Sequence, residues 1–398
     1  MKSGWLAALM TALLISGCTT EREMNTGMNP CSESIRVATF NVSMEAGNYL
    51  DENTDQPLSA AVLQQRLQAG DHPQIRNIAE IIQRVRPDIL LLNEFDTIQP
   101  RSAGLDLFQE NYLSQSQAGQ PPIEYAYRFV APVNTGVAMP LDSNGDGEIT
   151  LPEDAYGFGH YPGQYGMAVL SRYPIDTDKV RTFQHFLWKD MPGALKPFNA
   201  DGTPYYSEAV WSQFRLSSKS HWSIPVQLHE QTLHLLASHP TPPVFDGPED
   251  RNGKRNHDEI RFWVDYLNNA AYLYDDQGQR GGLAADAPFV VLGDLNASPV
   301  EGDSRPGAIA GLLSHPAVNA LTPTSEGGRE ARPGDPHSAS HTVSWGMRAD
   351  YVLPSTHLGI ENSGVYWPIK EEPLHRLIES REASSDHRLV WVDLGCTL

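Results

Sequence analysis

The chain has 398 residues, 40% of them hydrophobic, and a formal net charge of −20. That length supports a large buried core, and the plentiful Gly (32) and Pro (30) suit a strand-rich, loop-rich architecture. The acidic balance repels nucleic acid at long range and excludes the broad basic footprint of a dedicated DNA binder, although a local cationic groove with a divalent metal still holds phosphate in an acidic protein.

The first residues read as a processing signal. Lys2 supplies a positive n-region, and residues 5–15 form an apolar stretch of signal-peptide length, too short to cross a bilayer. It ends in Ile15-Ser16-Gly17-Cys18, which resembles the bacterial lipobox, where cleavage precedes a Cys that receives lipid. Residues 1–17 are therefore expected to be removed, and residues 18–33 to form a polar tether lipidated on Cys18 and held to a membrane. Thr19 rather than Asp follows Cys18, which by the same resemblance points to the outer membrane of a Gram-negative cell. Disulfides persist in an exported protein, and Cys31 and Cys396 bracket the rest of the chain, so the two are expected to pair, the more so if the first and last strands are antiparallel neighbours.

Residues 34–398 read as one domain. In chain order, residues 35–42 (IRVATFNV) form a β-branched strand, and residues 74–85 place Ile75, Ile78, Ile81, Ile82 and Val85 on one helical face that Pro87 ends. Further strands are expected at 89–92, 167–170, 224–228, 233–237, 289–292, 351–353 and 389–394, with a second helix over 257–274. Many strands, few helices and long polar connections imply an α+β sandwich.

Polar residues sit at the ends of these strands: Asn41, Glu94, His239, Asp294 with Asn296, Asp350, and Asp386-His387. The set fits phosphoester hydrolysis. Carboxylate and amide oxygens suit Mg²⁺ or Mn²⁺, and a His near an Asp activates water. No Cys/His set has zinc-like spacing, and no Walker-type glycine loop is present.

The strings TFNV (39–42), LLNEFD (91–96), GMAVLSR (166–172), GDLNASP (293–299), RADYVLPS (348–355) and SSDHRLV (384–390) resemble, in order and spacing, the motifs of the endonuclease/exonuclease/phosphatase superfamily. The resemblance implies a deoxyribonuclease-I-like fold, a four-layer sandwich of two packed mixed β-sheets flanked by helices. It also implies roles. Glu94 is the main metal carboxylate, with Asn41 and Asp386 helping to hold metal or phosphate. His387, oriented by Asp350, is general base or stabiliser of the pentacovalent centre, and Asp294 positions or deprotonates the nucleophile. Asn296 donates to the developing phosphorane oxygens, and His239 contacts phosphate or protonates the leaving group.

Other features lie outside these motifs. Lys219 and His221, before a strand, read either as phosphate ligands or as a solvated strand end, and Arg251, Arg255 and Asn256 follow His239 on a long connection expected to shape a substrate subsite. Asp258 and Glu259 read alternatively as favourable charges at a helix start. Residues 142–153 match a twelve-position calcium loop, with Asp142, Asn144, Asp146, Glu148 through its carbonyl, Thr150 and Glu153 as ligands and Gly147 at the sharp turn. Glycine- and proline-rich flanks imply a structural Ca²⁺ clip in an insertion rather than a helix-flanked sensor. The leading expectation is an extracytoplasmic phosphoesterase acting on small or lipid-like esters, without a protein partner. The alternatives are a secreted nuclease and a calcium-stabilised surface binding protein with a degenerate site; the intact carboxylates argue against the latter.

Overall fold

The computed structural model describes Met1 and residues 34–50, 56–228 and 231–395. The signal and tether, and the lipidation and disulfide expectations on Cys18, Cys31 and Cys396, lie outside the described residues.

Two mixed sheets form the molecule. The first runs through β1 (Ile35–Met44), β2 (Ile89–Phe95), β3 (Tyr127–Phe129), β4 (Met167–Ser171), β10 (Ile360–Val365) and β11 (Val390–Leu394), in the order β10-β11-β1-β2-β4-β3. The second contains β5 (Arg181–Thr182), β6 (His221–Leu228), β7 (Gln231–Ser238), β8 (Phe289–Asp294) and β9 (Asp350–Pro354), in that order. β1 and β2 are parallel, as are β7 and β8, whereas β11 and β9 run antiparallel to β1 and β8. Ile35 lies opposite Leu394, so the first and last strands are antiparallel neighbours.

Alternation along the strands builds the layers. Leu235, Ala237, Val290, Leu292 and Val352 join the core shared with the first sheet, while Leu236, Val291, Tyr351 and Leu353 point the other way, onto the helix Arg251–Leu267. The first sheet's far side takes Ile75, Ile78 and Ile82 of the helix Pro73–Val85. This is the expected four-layer α+β sandwich.

The expected strands are all present, mostly one to three residues longer than their apolar runs. β3, β5 and β10 were not anticipated, because they are two to six residues long and carry little buried surface. The second helix starts six residues earlier than expected and stops at Leu267, where Asn269 adopts φ 51 and turns the chain.

Candidate active site

The parallel strands β1, β2, β7 and β8 end, and β9 and β11 begin, at one edge of the sandwich. Pairing fixes the positions: Asn41 lies opposite Asn93 and Asp294 opposite Asp350. Glu94, the penultimate residue of β2, has φ 53, and Asn296, after β8, has φ 51, left-handed conformations that non-glycine residues adopt uncommonly. Gly293 has φ 144, and a Cβ there would lie 2.0 Å from the carbonyl oxygen of Ser238. Only glycine lets β8 approach β7 closely enough to carry Asp294 into the cluster.

A chain of polar contacts crosses the edge. Thr342 Oγ1 donates to Asp350 Oδ2 (2.7 Å), which sits 2.9 Å from His387 Nδ1. On the other side of the ring, His387 Nε2 lies 3.7 Å from Asp294 Oδ2. The same oxygen accepts from Asn41 Nδ2 (3.1 Å) and faces His239 Nε2 at 3.4 Å. The backbone N–H of Asp294 donates to Asn93 Oδ1 (3.1 Å), and Asp294 Oδ1 accepts from the Asn296 N–H (3.0 Å).

These surroundings separate three titrating groups. Burial alone would lower the pKa of His387, but the Asp350 and Asp294 carboxylates outweigh it and raise it to about 10. Asp294 is pushed up to about 7 by burial and by Asp350, against the opposing pull of His387. His239 is driven well below its ordinary value by burial and by the positive charges of Lys219 and His387. At neutral pH the edge thus holds a charged His387, a carboxylate poised near neutrality and an uncharged His239.

Beside this chain lie Glu94 and Asp386. Arg381 reaches both at 3.9 Å from a half-exposed position. Burial raises the Glu94 carboxyl, with His387 and Asn41 opposing. Asn41 turns its amide nitrogen to Asp294, which leaves its oxygen to the Ser43 N–H (3.2 Å) and one further partner. Two carboxylates with one distant cation between them, and the Asn41 amide beside them, offer hard oxygen donors that fit Mg²⁺ or Mn²⁺. Asp294, Asp350 and His387 also converge on a common point, but His387 Nδ1 is already engaged by Asp350, and the three together form a proton-handling group.

Several expected ligands lie elsewhere. His221 is fully buried in the core: its Nδ1 meets Ser217 Oγ at 2.6 Å, its Nε2 meets the Glu259 carbonyl at 2.8 Å, and Phe262 and Trp263 flank the ring. It is a core histidine, not a phosphate ligand. Arg255 is also spent inside, donating to the carbonyls of Leu216, Tyr156 and Arg215, and Arg251 is engaged by Glu249 and the Phe245 carbonyl. Asn256 donates to the carbonyls of Thr241 and Leu295, pinning together the segments that follow His239 and Asp294. Lys219 is buried, its pKa lowered by burial and opposed by Glu259, Glu94 and Asp294. It remains the one expected phosphate ligand whose charge acts on the site. Asp258 and Glu259 turn inward rather than capping a helix: Asp258 accepts from Trp188 Nε1 and the Leu195 N–H, and Glu259 from the N–H groups of Ser218 and Thr241.

The 142–153 loop folds on its own side chains. Asp142 accepts from the N–H groups of Gly145 (2.6 Å) and Gly147 (2.8 Å), and Asp146 from that of Glu148 (2.9 Å). Isolated bridges Ala138↔Ala155 and Thr135↔Gly157 close its base in place of helices. Asp154, absent from the expected ligand set, is buried and accepts from the N–H groups of Ser143 and Thr150. Among the described residues no three of the loop's carboxylates converge within 4.8 Å of one another.

Three further residues border the site without any sequence signal. Thr342 and Arg381 come from loops whose composition is ordinary. The ring of Trp345, 47% exposed, stands 5.3 Å from that of His387. Only folding brings them there.

An acid–base chain beside an oxygen-donor cradle, set on the strand ends of a double-sheet sandwich, defines a hydrolase of phosphoester bonds that works with a divalent metal. The chain belongs to the Endonuclease/Exonuclease/phosphatase family, whose model matches residues 38–387. Solved structures with a similar fold include an endonuclease/exonuclease/phosphatase from Beutenbergia cavernae DSM 12333, with 18% identity, 91% of this chain and 72% of that one covered, and a TM-score of 0.47. A family protein from Leptotrichia buccalis C-1013-b shows 14% identity, coverage of 90% and 99%, and a TM-score of 0.44. The human Nocturnin catalytic domain with bound sulfate shows 15% identity, coverage of 91% and 93%, and a TM-score of 0.44. No curated protein matches the chain in sequence.

Proposed function

We propose that the chain is a phosphoesterase working outside the cytoplasm, held to a membrane by lipid on Cys18, and hydrolysing small or lipid-like phosphomono- or phosphodiesters. One observation carries the catalytic reading: Asp350, His387 and Asp294 form a continuous chain beside Glu94 and Asp386. Glu94 and Asp386, with Asn41 beside them, would hold Mg²⁺ or Mn²⁺, which when bound would supply positive charge to the phosphate oxygens. Asp294 accepts a proton from water as the water oxygen bonds to phosphorus and the ester oxygen departs on the opposite side. His387 has its Nδ1–H fixed on Asp350, so its charged Nε2–H is the donor available to the oxygens that gain charge in the transition state. On this reading Asp294 is the base and His387 the electrostatic stabiliser. The uncharged His239 and the amide of Asn296 serve as phosphate contacts, and Lys219 adds charge from the wall.

The net charge of −20 favours small substrates over polymeric nucleic acid. A nuclease is the second reading, because the exposed Trp345 ring beside His387 offers a base a stacking face. Residues 142–153 are read as a Ca²⁺ clip, and Cys31 with Cys396 as a disulfide, the latter supported by the Ile35–Leu394 register.

The test compares membrane and soluble fractions of cells expressing the wild-type chain or Cys18→Ser, assayed with EDTA, Mg²⁺ or Mn²⁺ on p-nitrophenyl phosphate, bis-p-nitrophenyl phosphate and plasmid DNA. Metal-dependent activity that moves from membrane to supernatant in Cys18→Ser is the expected result, and non-reducing digests of the same material should yield a Cys31–Cys396 peptide. Preferential cleavage of plasmid selects the nuclease. Activity that survives EDTA overturns the metal site.

A further inference from the structure

Away from Glu94 and Asp386, a second group of side chains converges on one point. His341, Glu301 and Asp335 each offer one ligating atom, all within 4.8 Å of one another. His341 Nε2 is 2.9 Å from Glu301 Oε1 and 3.7 Å from Asp335 Oδ2. The imidazole is fully buried, whereas the carboxylates are 18% and 30% exposed, so the point is reached from solvent on the acidic side.

An ion pair alone does not account for this arrangement. Among the described residues, no Lys or Arg pairs with either carboxylate. Glu301 Oε2 and His341 Nδ1 are both buried without a hydrogen-bond partner. A charged imidazolium needs acceptors at both ring nitrogens, and here only Nε2 has them. A buried carboxylate oxygen without a donor beside a second carboxylate is costly unless positive charge arrives from elsewhere. A cation bound through Nε2 and both carboxylates would supply it.

We infer that His341, Glu301 and Asp335 form a second divalent-cation site, distinct from the catalytic one, that takes a transition ion such as Zn²⁺. The donor set gives the class. Mg²⁺ and Ca²⁺ favour oxygen-only shells, whereas one imidazole nitrogen with two carboxylate oxygens suits Zn²⁺ and leaves a fourth position for water. The ligands come from three segments: the loop after Asn296, the turn after the helix Glu326–Ala331, and the residue before Thr342. Thr342 Oγ1 holds Asp350 and also accepts the backbone N–H groups of Ala349 and Asp350 (3.0 Å each). A cation at His341 therefore fastens the backbone one residue from the group that aims Asp350 at His387.

The experiment is equilibrium Zn²⁺ binding by calorimetry to the full chain carrying Glu94→Gln, which neutralises the main carboxylate of the catalytic cradle, with thermal unfolding recorded alongside. One Zn²⁺ per chain and a raised unfolding midpoint are expected. Adding Glu301→Gln or Asp335→Asn, both close in shape to the originals and the second partly exposed, should weaken binding at least tenfold and abolish the rise. Absence of Zn²⁺ binding to the Glu94→Gln chain overturns the site, as does unchanged affinity in Asp335→Asn or in a folded Glu301→Gln chain. The readout is independent of turnover, so it stands or falls separately from the catalytic assignments.

Discussion

His387 and His221 are both buried, yet their surroundings push them in opposite directions. His387 faces two carboxylates, which overcome the cost of burial and raise it to about 10. His221 touches a hydroxyl and a carbonyl, and burial lowers it to about 4, with the charge of Glu259 only partly opposing. A carbonyl only accepts, so His221 Nε2 carries the hydrogen and Nδ1 accepts from Ser217 Oγ. The same side chain is thus a charged stabiliser at the sandwich edge and a neutral structural link under the second sheet. Burial alone does not distinguish them; the charge of the immediate partners does.

The largest effect should come from breaking the charged side of this comparison. Asp294→Asn keeps the side chain's shape but removes the base and one of the carboxylates that hold charge on His387. A kcat loss of about a thousandfold with little change in unfolding midpoint is expected from steady-state kinetics and calorimetry. Loss of less than tenfold would move the base elsewhere.

The neutral side predicts a pH effect on stability rather than on chemistry. Unfolded His221 takes up a proton near pH 6.5, whereas folded His221 resists until about pH 4. Its contribution is fully present above that range and is lost as pH falls from about 6.5 to 4, to a total of roughly 3 kcal/mol. Urea unfolding at pH 7, 5.5 and 4.5 should show this decline in the wild type and a flatter slope in His221→Gln. Equal slopes would contradict the neutral assignment.

The smallest expected effect concerns the insertion. Ca²⁺ should raise the unfolding midpoint by about 2 °C, and Asp142→Asn should remove the rise without changing the midpoint in EDTA. A Ca²⁺ response that persists in Asp142→Asn would place the ion outside the loop.

Much of this was legible in the chain itself. β-branched runs fixed most strands because a sheet buried on both faces demands continuous apolar sequence. Polar residues at the ends of those runs identified Asn41, Glu94, His239, Asp294, Asn296, Asp350, Asp386 and His387, since a strand end is where a rigid backbone can present a polar group. His221, read as a phosphate ligand or a solvated strand end, and Arg255 and Asn256, read from the long connection as shaping a subsite, all turn inward instead. Nothing local tells a strand-end histidine whether Ser217 and Glu259 or a carboxylate pair will face it.

The sequence by itself therefore determined the sandwich, the family and the residues of the strand-end cluster, because hydrophobic periodicity and motif order are properties of the chain. Only the tertiary structure decided which histidine is charged, how Thr342 and Arg381 reach the site, and that Glu301, Asp335 and His341 meet. Partners distant in sequence set local charge, and electrostatic energy depends on separations that close only when the two sheets pack.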